Sequence, residues 1–181
     1  MPMGRPTVQG YQTKVLLAED STRLQELLER CTDYALLVDG SLPRPNAAVL
    51  LLADHPPGVT PDDKLVFGVH SQDGKMVAVL DAVRDYPAHG TWWLGLLLID
   101  PAYRNQGLGR EIYRSFEDWL HGQNCQGVYL GVLDENQDAF RFWQALGFVE
   151  YERQAPRQIG LKEHTVITMI RKFPEDSLDR D

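Results

Sequence analysis

Cysteine is scarce in this chain. Cys31 and Cys125 are its only two, with no C-x-x-C and no metal-ligand spacing, so a disulfide framework is excluded and a reduced, cytoplasmic setting is expected. The five histidines form no H-E-x-x-H, and no metal site is expected. Basic residues are outnumbered, leaving a net charge of −8. No cationic excess is then available to neutralise a nucleic-acid backbone, so nucleic acid is not an expected partner. Long apolar runs are missing too. The stretch from Trp92 to Ile99 falls far short of the roughly 20 residues needed to cross a bilayer. The opening MPMGRPTVQG lacks the apolar region of a secretory signal, so no membrane partner is expected. Two familiar phosphate motifs are also absent: there is no G-x-x-x-x-G-K-[S/T], and Ile112 stands where G-x-G-x-x-G needs its third glycine.

What remains is organised around Thr91 to Leu120, TWWLGLLLIDPAYRNQGLGREIYRSFEDWL. Trp92 to Ile99, ended by Asp100-Pro101, reads as a strand covered on both faces. A turn carrying Arg104, Asn105, Gln106, Gly107, Leu108, Gly109 and Arg110 follows. Beyond it Leu108, Ile112, Phe116, Trp119 and Leu120 recur at helical spacing. A strand feeding a glycine-rich turn that opens a helix suits an anion, because the first helical N–H groups lack internal partners and the helix dipole favours negative charge. A side chain at Gly107 or Gly109 would project into the space where a phosphate must approach those groups. Arg104, Arg110 and Arg114 form a local basic cluster for a small phosphorylated ligand.

The 181 residues suit one domain, expected over 11–173, with 1–10 and 174–181 as flexible termini. Lys14 to Ala18 reads as the first strand. Asp20 or Ser21 is placed to cap a helix whose face is Leu24, Leu27, Leu28 and Cys31. Asn46 starts a second helix through Ala53. Strands Lys64 to His70 and Lys75 to Arg84 are joined through Gln72-Asp73-Gly74, a hairpin signal. Gly127 to Leu133 is a fifth strand. Asn136 opens a helix with Ala139, Phe142, Trp143 and Leu146 on one face and Gly147 after its end. Phe148 to Arg153 and Thr165 to Lys172 complete the strands.

The string R-x-x-G-x-G after a strand ending Ile-Asp-Pro resembles the acyl-CoA pyrophosphate loop of the GCN5-related N-acetyltransferase (GNAT) family. The segment from Asn136 to Phe148 is similar to the family's N-x-x-A-x-x-x-[Y/W]-x-x-x-G-F motif. The order β-α-α-β-β-β-α-β-α-β-β resembles the whole fold, over roughly residues 14 to 172 and in an uncharacterised bacterial branch. The resemblance implies an α/β (α+β) acyl-CoA N-acyltransferase fold, a mixed sheet of about seven strands flanked by about four helices. It implies an acetyl-CoA-dependent transferase acting on a primary amine of a small molecule or protein, with acetyl-CoA and that amine as partners and room for a homodimer. Position by position, it assigns the pantetheine arm to the backbone of Leu97, Leu98 and Ile99. A backbone amide at Leu97 or nearby would face the thioester carbonyl oxygen. The pyrophosphate falls to Asn105 through Arg110. Asn136 would hold the cofactor, cap its helix, or do both, and Trp143 stands where many relatives carry a tyrosine acid.

The chain departs from the family pattern at the proton acceptor. A lysine-like amine with pKa of about 10.4 must lose a proton before attack. Yet Thr91 to Ile99 contains no acid, and Gly131 stands where some members place a glutamate. The candidates left are Asp81, first because it interrupts an apolar strand, then His89, with Asp85, Glu150 and Tyr151 behind them. Trp143 reads most simply as core, since an indole N–H cannot serve as an acid. No Cys, Ser or Lys stands out as a covalent carrier, so direct transfer is expected. The missing base keeps a second reading open, a non-catalytic acyl-CoA-binding sensor or interaction module. The acidic composition leans toward cationic acceptors.

Overall fold

A computed structural model describes residues 4–174. Strand β1 (Gln12–Val15) leads through a short 3₁₀ turn into helices α1 (Ser21–Arg30), α2 (Thr32–Val38) and α3 (Ala47–Ala53). Strands β2 (Lys64–His70), β3 (Met76–Arg84) and β4 (Thr91–Ile99) follow, then α4 (Leu108–His121), β5 (Gly127–Leu133) and α5 (Gln137–Ala145). Strands β6 (Val149–Arg153), β7 (Arg157–Ile159), β8 (Lys162–His164) and β9 (Val166–Lys172) end the description. Seven strands form one sheet in the order β1-β2-β3-β4-β5-β9-β6, and β7 pairs β8 separately. Neighbours in the large sheet run antiparallel except β4 and β5.

Each face of the sheet buries its own apolar layer. On one, Leu108, Ile112, Phe116 and Leu120 of α4 pack with Trp143 of α5 against Phe67, Leu80, Trp92 and Leu130. On the other, Leu24 and Leu27 of α1 and Ala48 of α3 cover Val66, Val79 and Leu98. The 3.6-residue spacing of those side chains on each helix is what commits them to one face.

Four departures from the sequence reading follow from tertiary contacts. The arm expected to be loose is tied down over its described part: Val8 is buried, Ser115 Oγ donates to Thr7 O at 2.7 Å and Trp119 Nε1 donates to Gly4 O. Residues 1–3 and 175–181 of the expected termini lie outside the described residues. A helix was missed, because Thr32–Val38 restarts after a break at Cys31 (φ −98°, ψ 45°), where the apolar face of the first helix ends. The β7–β8 hairpin was missed as well. It turns at Gly160 (φ +56°) and docks on the end of α2, where Leu161 N donates to Asp39 O at 2.8 Å and Lys162 Nζ to Leu37 O at 3.1 Å. His164 Nε2 lies 2.7 Å from Val38 O. These contacts supply partners to carbonyls that a helix end leaves open. Finally, β4 is not covered on both faces, and that exception builds the site.

Candidate active site

Alternation along β4 breaks at Gly95. In the register with β3, Ala82 faces Leu94 and Asp81 faces Leu96, so Gly95 is one residue too many and forms a bulge. The bulge reverses the strand's phase. Trp92 and Leu94 enter the α4 side before it, whereas Leu97 and Ile99 do so after it, and Leu96 and Leu98 turn to the other layer. A Cβ at Gly95 would lie 2.9 Å from Asp81 Oδ2, so only glycine fits without moving that carboxylate.

The strands part beyond the same point. β4 and β5 are paired from Thr91–Gly127 to Leu94–Leu130, after which Gly131 to Leu133 pair only with β9. The gap opens into two adjoining cavities. The outer, of about 530 Å³, runs past Leu97, Leu98, Ile99, Arg104 and Asn105 to Phe142. The inner, of about 350 Å³, is floored by Trp93 to Leu97 and Leu130 to Leu133 and roofed by Gln154, Arg157 and Ile159. Tyr34, Leu97, Asn136, Ala139 and Trp143 border both.

At the outer end stands the start of α4. Gly107 occupies its N-cap position with φ +83°, and Asn105 also takes a positive φ of 59°. The first helical bond of α4 runs from Glu111 N to Gly107 O at 3.1 Å, so helix geometry gives the N–H groups of Leu108, Gly109 and Arg110 no partner. A Cβ at Gly107 would meet nothing within 4 Å, which leaves this turn open to an incoming anion. Gly109 is different. Its Cβ would lie 2.9 Å from Ile99 Cδ1 and 3.3 Å from Phe142 Cζ. The sequence reading gave both glycines to phosphate approach; Gly109 instead lets α4 sit close on β4 and α5.

The arginine cluster also divides. Arg104 donates through Nε to Ile99 O at 2.8 Å and pairs with Asp33, so it ties the loop to α2 rather than offering a free charge. The hydrogen bond to Asp33 holds the guanidinium pKa up, against the pull of its burial. Gln106 donates to Ala102 O at 3.0 Å. Arg110 and Arg114 are exposed and have no ion pair among the described residues. Asn136 Oδ1 accepts from Ala139 N at 3.2 Å, so its capping role is realised while the residue borders both cavities. Trp143 is buried in edge-on contact with Tyr113, Phe142 and Phe148, as the core reading expected, with one border on the groove.

The candidate proton acceptors separate sharply. Asp81 lies beneath the bulge, buried, with Lys64 Nζ 3.0 Å from its carboxylate and the Lys64 side chain only 6% exposed. Burial raises the Asp81 carboxyl above its ordinary range, with Lys64 pulling it back only in part. His89 is almost wholly exposed, 3.1 Å from Asp85, in the loop before β4 and away from the open end of that strand. Glu150 pairs with Arg153, and Tyr151 stands edge-on to Tyr129; neither lines either of these two cavities. Sequence reasoning missed Tyr34, Gln154 and Arg157. Burial, then the Asp39 carboxylate, pushes the Tyr34 phenol up to about 12, so near neutrality it is a hydrogen-bond donor and not a base. No sequence signal marked these three, since they lie on the two elements the reading passed over or in the turn between strands. Among the described residues no cluster of His, Cys, Asp and Glu could hold a metal, and no helix is long and apolar enough to cross a membrane.

Comparison with known proteins agrees with this geometry. The chain is 31% identical over 61 residues to a spermine/spermidine N(1)-acetyltransferase of Bacillus subtilis. It is 33% identical over 58 residues to a glucosamine 6-phosphate N-acetyltransferase of Trypanosoma brucei brucei. These matches take in 33% and 32% of this chain, and the chain spans only 40% and 37% of those relatives' lengths. An acetyltransferase from Thermus thermophilus superposes with a TM-score of 0.73 at 23% identity, over 92% of this chain and 99% of that one. A spermidine N-acetyltransferase from Vibrio cholerae, solved with CoA and spermine, superposes with a TM-score of 0.71 at 17% identity, over 90% of this chain and 95% of that one. The model of the acetyltransferase (GNAT) family matches residues 23–148, and with that match across most of the domain, the chain belongs to the GNAT acetyltransferase family.

Proposed function

We propose that the protein is an acetyl-CoA-dependent N-acetyltransferase that moves an acetyl group directly onto a primary amine. The observation that carries this reading is the parting of β4 and β5 after Leu94–Leu130, which opens a groove running to Arg104 and Asn105 on the turn that leads into α4. The residues fit the cosubstrate. The turn at Gly107 is empty where a Cβ would point, and helix-terminal N–H groups suit a pyrophosphate. Asn105 through Arg110 would hold the phosphates, and the backbone of Leu97, Leu98 and Ile99 would align the pantetheine arm. Acetyl-CoA, when bound, supplies an activated thioester.

The chain's own residues then have three tasks. A backbone amide at Leu97 or beside it would favour negative charge on the acyl oxygen. Asp81 would accept the amine proton, through water beside Gly95, because the inner cavity itself is lined by no carboxylate. Trp93, Trp143 and the β7–β8 roof would exclude bulk water. No acid is needed for departure, since a thiol of pKa about 8.5 leaves tolerably as the thiolate. A calorimetric titration with acetyl-CoA, followed by thiol release on adding a panel of amines, tests this reading. Binding without thiol release from any amine would overturn it in favour of an acyl-CoA-binding sensor, for which the burial of Asp81 in an ion pair is the supporting observation.

A further inference from the structure

The inner cavity has an uneven charge. Its lining carries one charged side chain, Arg157, and no carboxylate. Most acidic groups on the flanking segments are already engaged, and Asp39, exposed at the end of α2 and without an ion pair among the described residues, acts on Tyr34 but does not line the cavity. Asp33 is held by Arg104, Asp138 by Arg141, Asp81 by Lys64, and Glu135 lies 2.9 Å from His164 Nδ1. Glu163, in register with Gln158, belongs to the other face of the hairpin. Arg157 has no ion pair among the described residues, and it stands on a hairpin fixed to α2 through Leu161, Lys162 and His164. The rest of the lining is largely apolar: Trp93, Leu96, Val132, Ile159 and Val166.

Resting on the transferase reading above, we infer that the acceptor is a small amine bearing a carboxylate on an apolar body, of the hydrophobic amino-acid class, and that Arg157 determines this specificity. A guanidinium offers a rigid fork matched to a carboxylate. The same charge opposes a polyamine, whose further ammonium groups would meet a cation and find no acid in the inner lining to pair with. The cavity's charge thus points away from polyamines, the substrates named for several relatives. It also corrects the lean toward cationic acceptors drawn from composition, since net charge acts over the whole surface and not within one pocket.

The test compares phenylalanine with its amide, phenethylamine and spermidine in thiol-release kinetics on the full chain. Phenylalanine should exceed each of the others in kcat/KM by about tenfold or more, in line with a charge-assisted pair formed only with the carboxylate. In Arg157→Gln the ratio of phenylalanine to its amide should collapse toward one, and Arg157→Lys should restore part of it. Acetyl-CoA affinity by calorimetry serves as the check that each variant is folded. A preference for spermidine, or an unchanged ratio in a folded Arg157→Gln protein, would overturn the inference while leaving the transferase reading intact. If neither these four compounds nor the wider amine panel releases thiol, the transferase reading fails, and an equilibrium measurement decides the pocket chemistry. CoA-saturated wild type should still bind phenylalanine at least about tenfold more tightly than its amide, and equal binding would overturn the inference.

Discussion

Replacing Asp81 by asparagine would perturb two things at once, and the structure allows them to be separated. The carboxylate and Lys64 Nζ lie 3.0 Å apart with side chains only 10% and 6% exposed. Removing Lys64 strands the carboxylate in the interior, which costs about 3–5 kcal/mol of a total stability of about 5–15 kcal/mol. Asp81→Asn instead puts a neutral group where burial already favours the neutral carboxyl, so at neutral pH it should be no weaker in urea than wild type. If Asp81 is also the base, turnover per folded molecule should fall by about 10²-fold, or about 2.7 kcal/mol of barrier, and the loss should shrink at high pH as the amine deprotonates unaided. Lys64→Met is the control. It should weaken the fold, unlike Asp81→Asn, but keep the carboxylate, shifting the rate profile to higher pH as the Asp81 carboxyl rises further. The double variant should recover part of the stability and none of the rate.

The sign of the pH dependence is fixed by burial. The folded carboxyl of Asp81 lies above its ordinary 3.8, so the folded state holds that proton more firmly. Its contribution to stability is therefore full below 3.8 and is lost as pH rises through the raised value. Asp81→Asn should remove that decline from the stability profile. Turnover of folded Asp81→Asn within threefold of wild type would refute the base assignment, and a urea midpoint lowered from wild type at neutral pH would refute the energetic one.

Three further outcomes are expected. Gly107→Asp should abolish acetyl-CoA binding at a stability cost of about 1–2 kcal/mol for a left-handed non-glycine residue, whereas Gly109→Ala should destabilise by about 1–3 kcal/mol through overpacking on Ile99; calorimetric affinity within twofold of wild type in Gly107→Asp would sink the phosphate assignment. Trp143→Phe should cost at most a few kcal/mol and leave rate per folded molecule close to wild type, because its ring packs on Tyr113, Phe142 and Phe148; a hundredfold loss of turnover would show that the indole N–H serves the reaction. Asp100 should make the fold acid-sensitive: burial raises its carboxyl, but the Ala102 amide, Lys75 and Arg30 outweigh that and hold it below 3.8, so its stabilisation is present above 3.8 and lost as pH falls through the lowered value. Acid titration of Asp100→Asn followed by circular dichroism should show that loss removed.

The strands and long helices were legible because each depends on a local pattern that its packing obeys. The apolar spacing of Leu108, Ile112, Phe116 and Leu120 is the buried stripe of α4, and Asp73-Gly74 turns the β2–β3 hairpin with Gly74 at φ +85°. The glycine turn before α4 was legible for the same reason, since Gly107 at φ +83° answers a backbone requirement. The roof of the groove was not. β7 and β8 are three residues each and hold their place through the carbonyls at the end of α2, partners that no window of sequence contains. Nor was the bulge. TWWLGLLLI reads as uninterrupted burial, and Gly95 within it looks like a weak point in a strand. Only the register with Asp81 and Ala82 makes that glycine an inserted residue. That one insertion is linked to everything the groove needs: it reverses the strand's phase, it coincides with the end of pairing to β5, and it leaves room for the Asp81 carboxylate behind the strand. An acid absent from β4 is thus brought against β4 from its neighbour, where the proposed proton acceptor Asp81 meets Gly95.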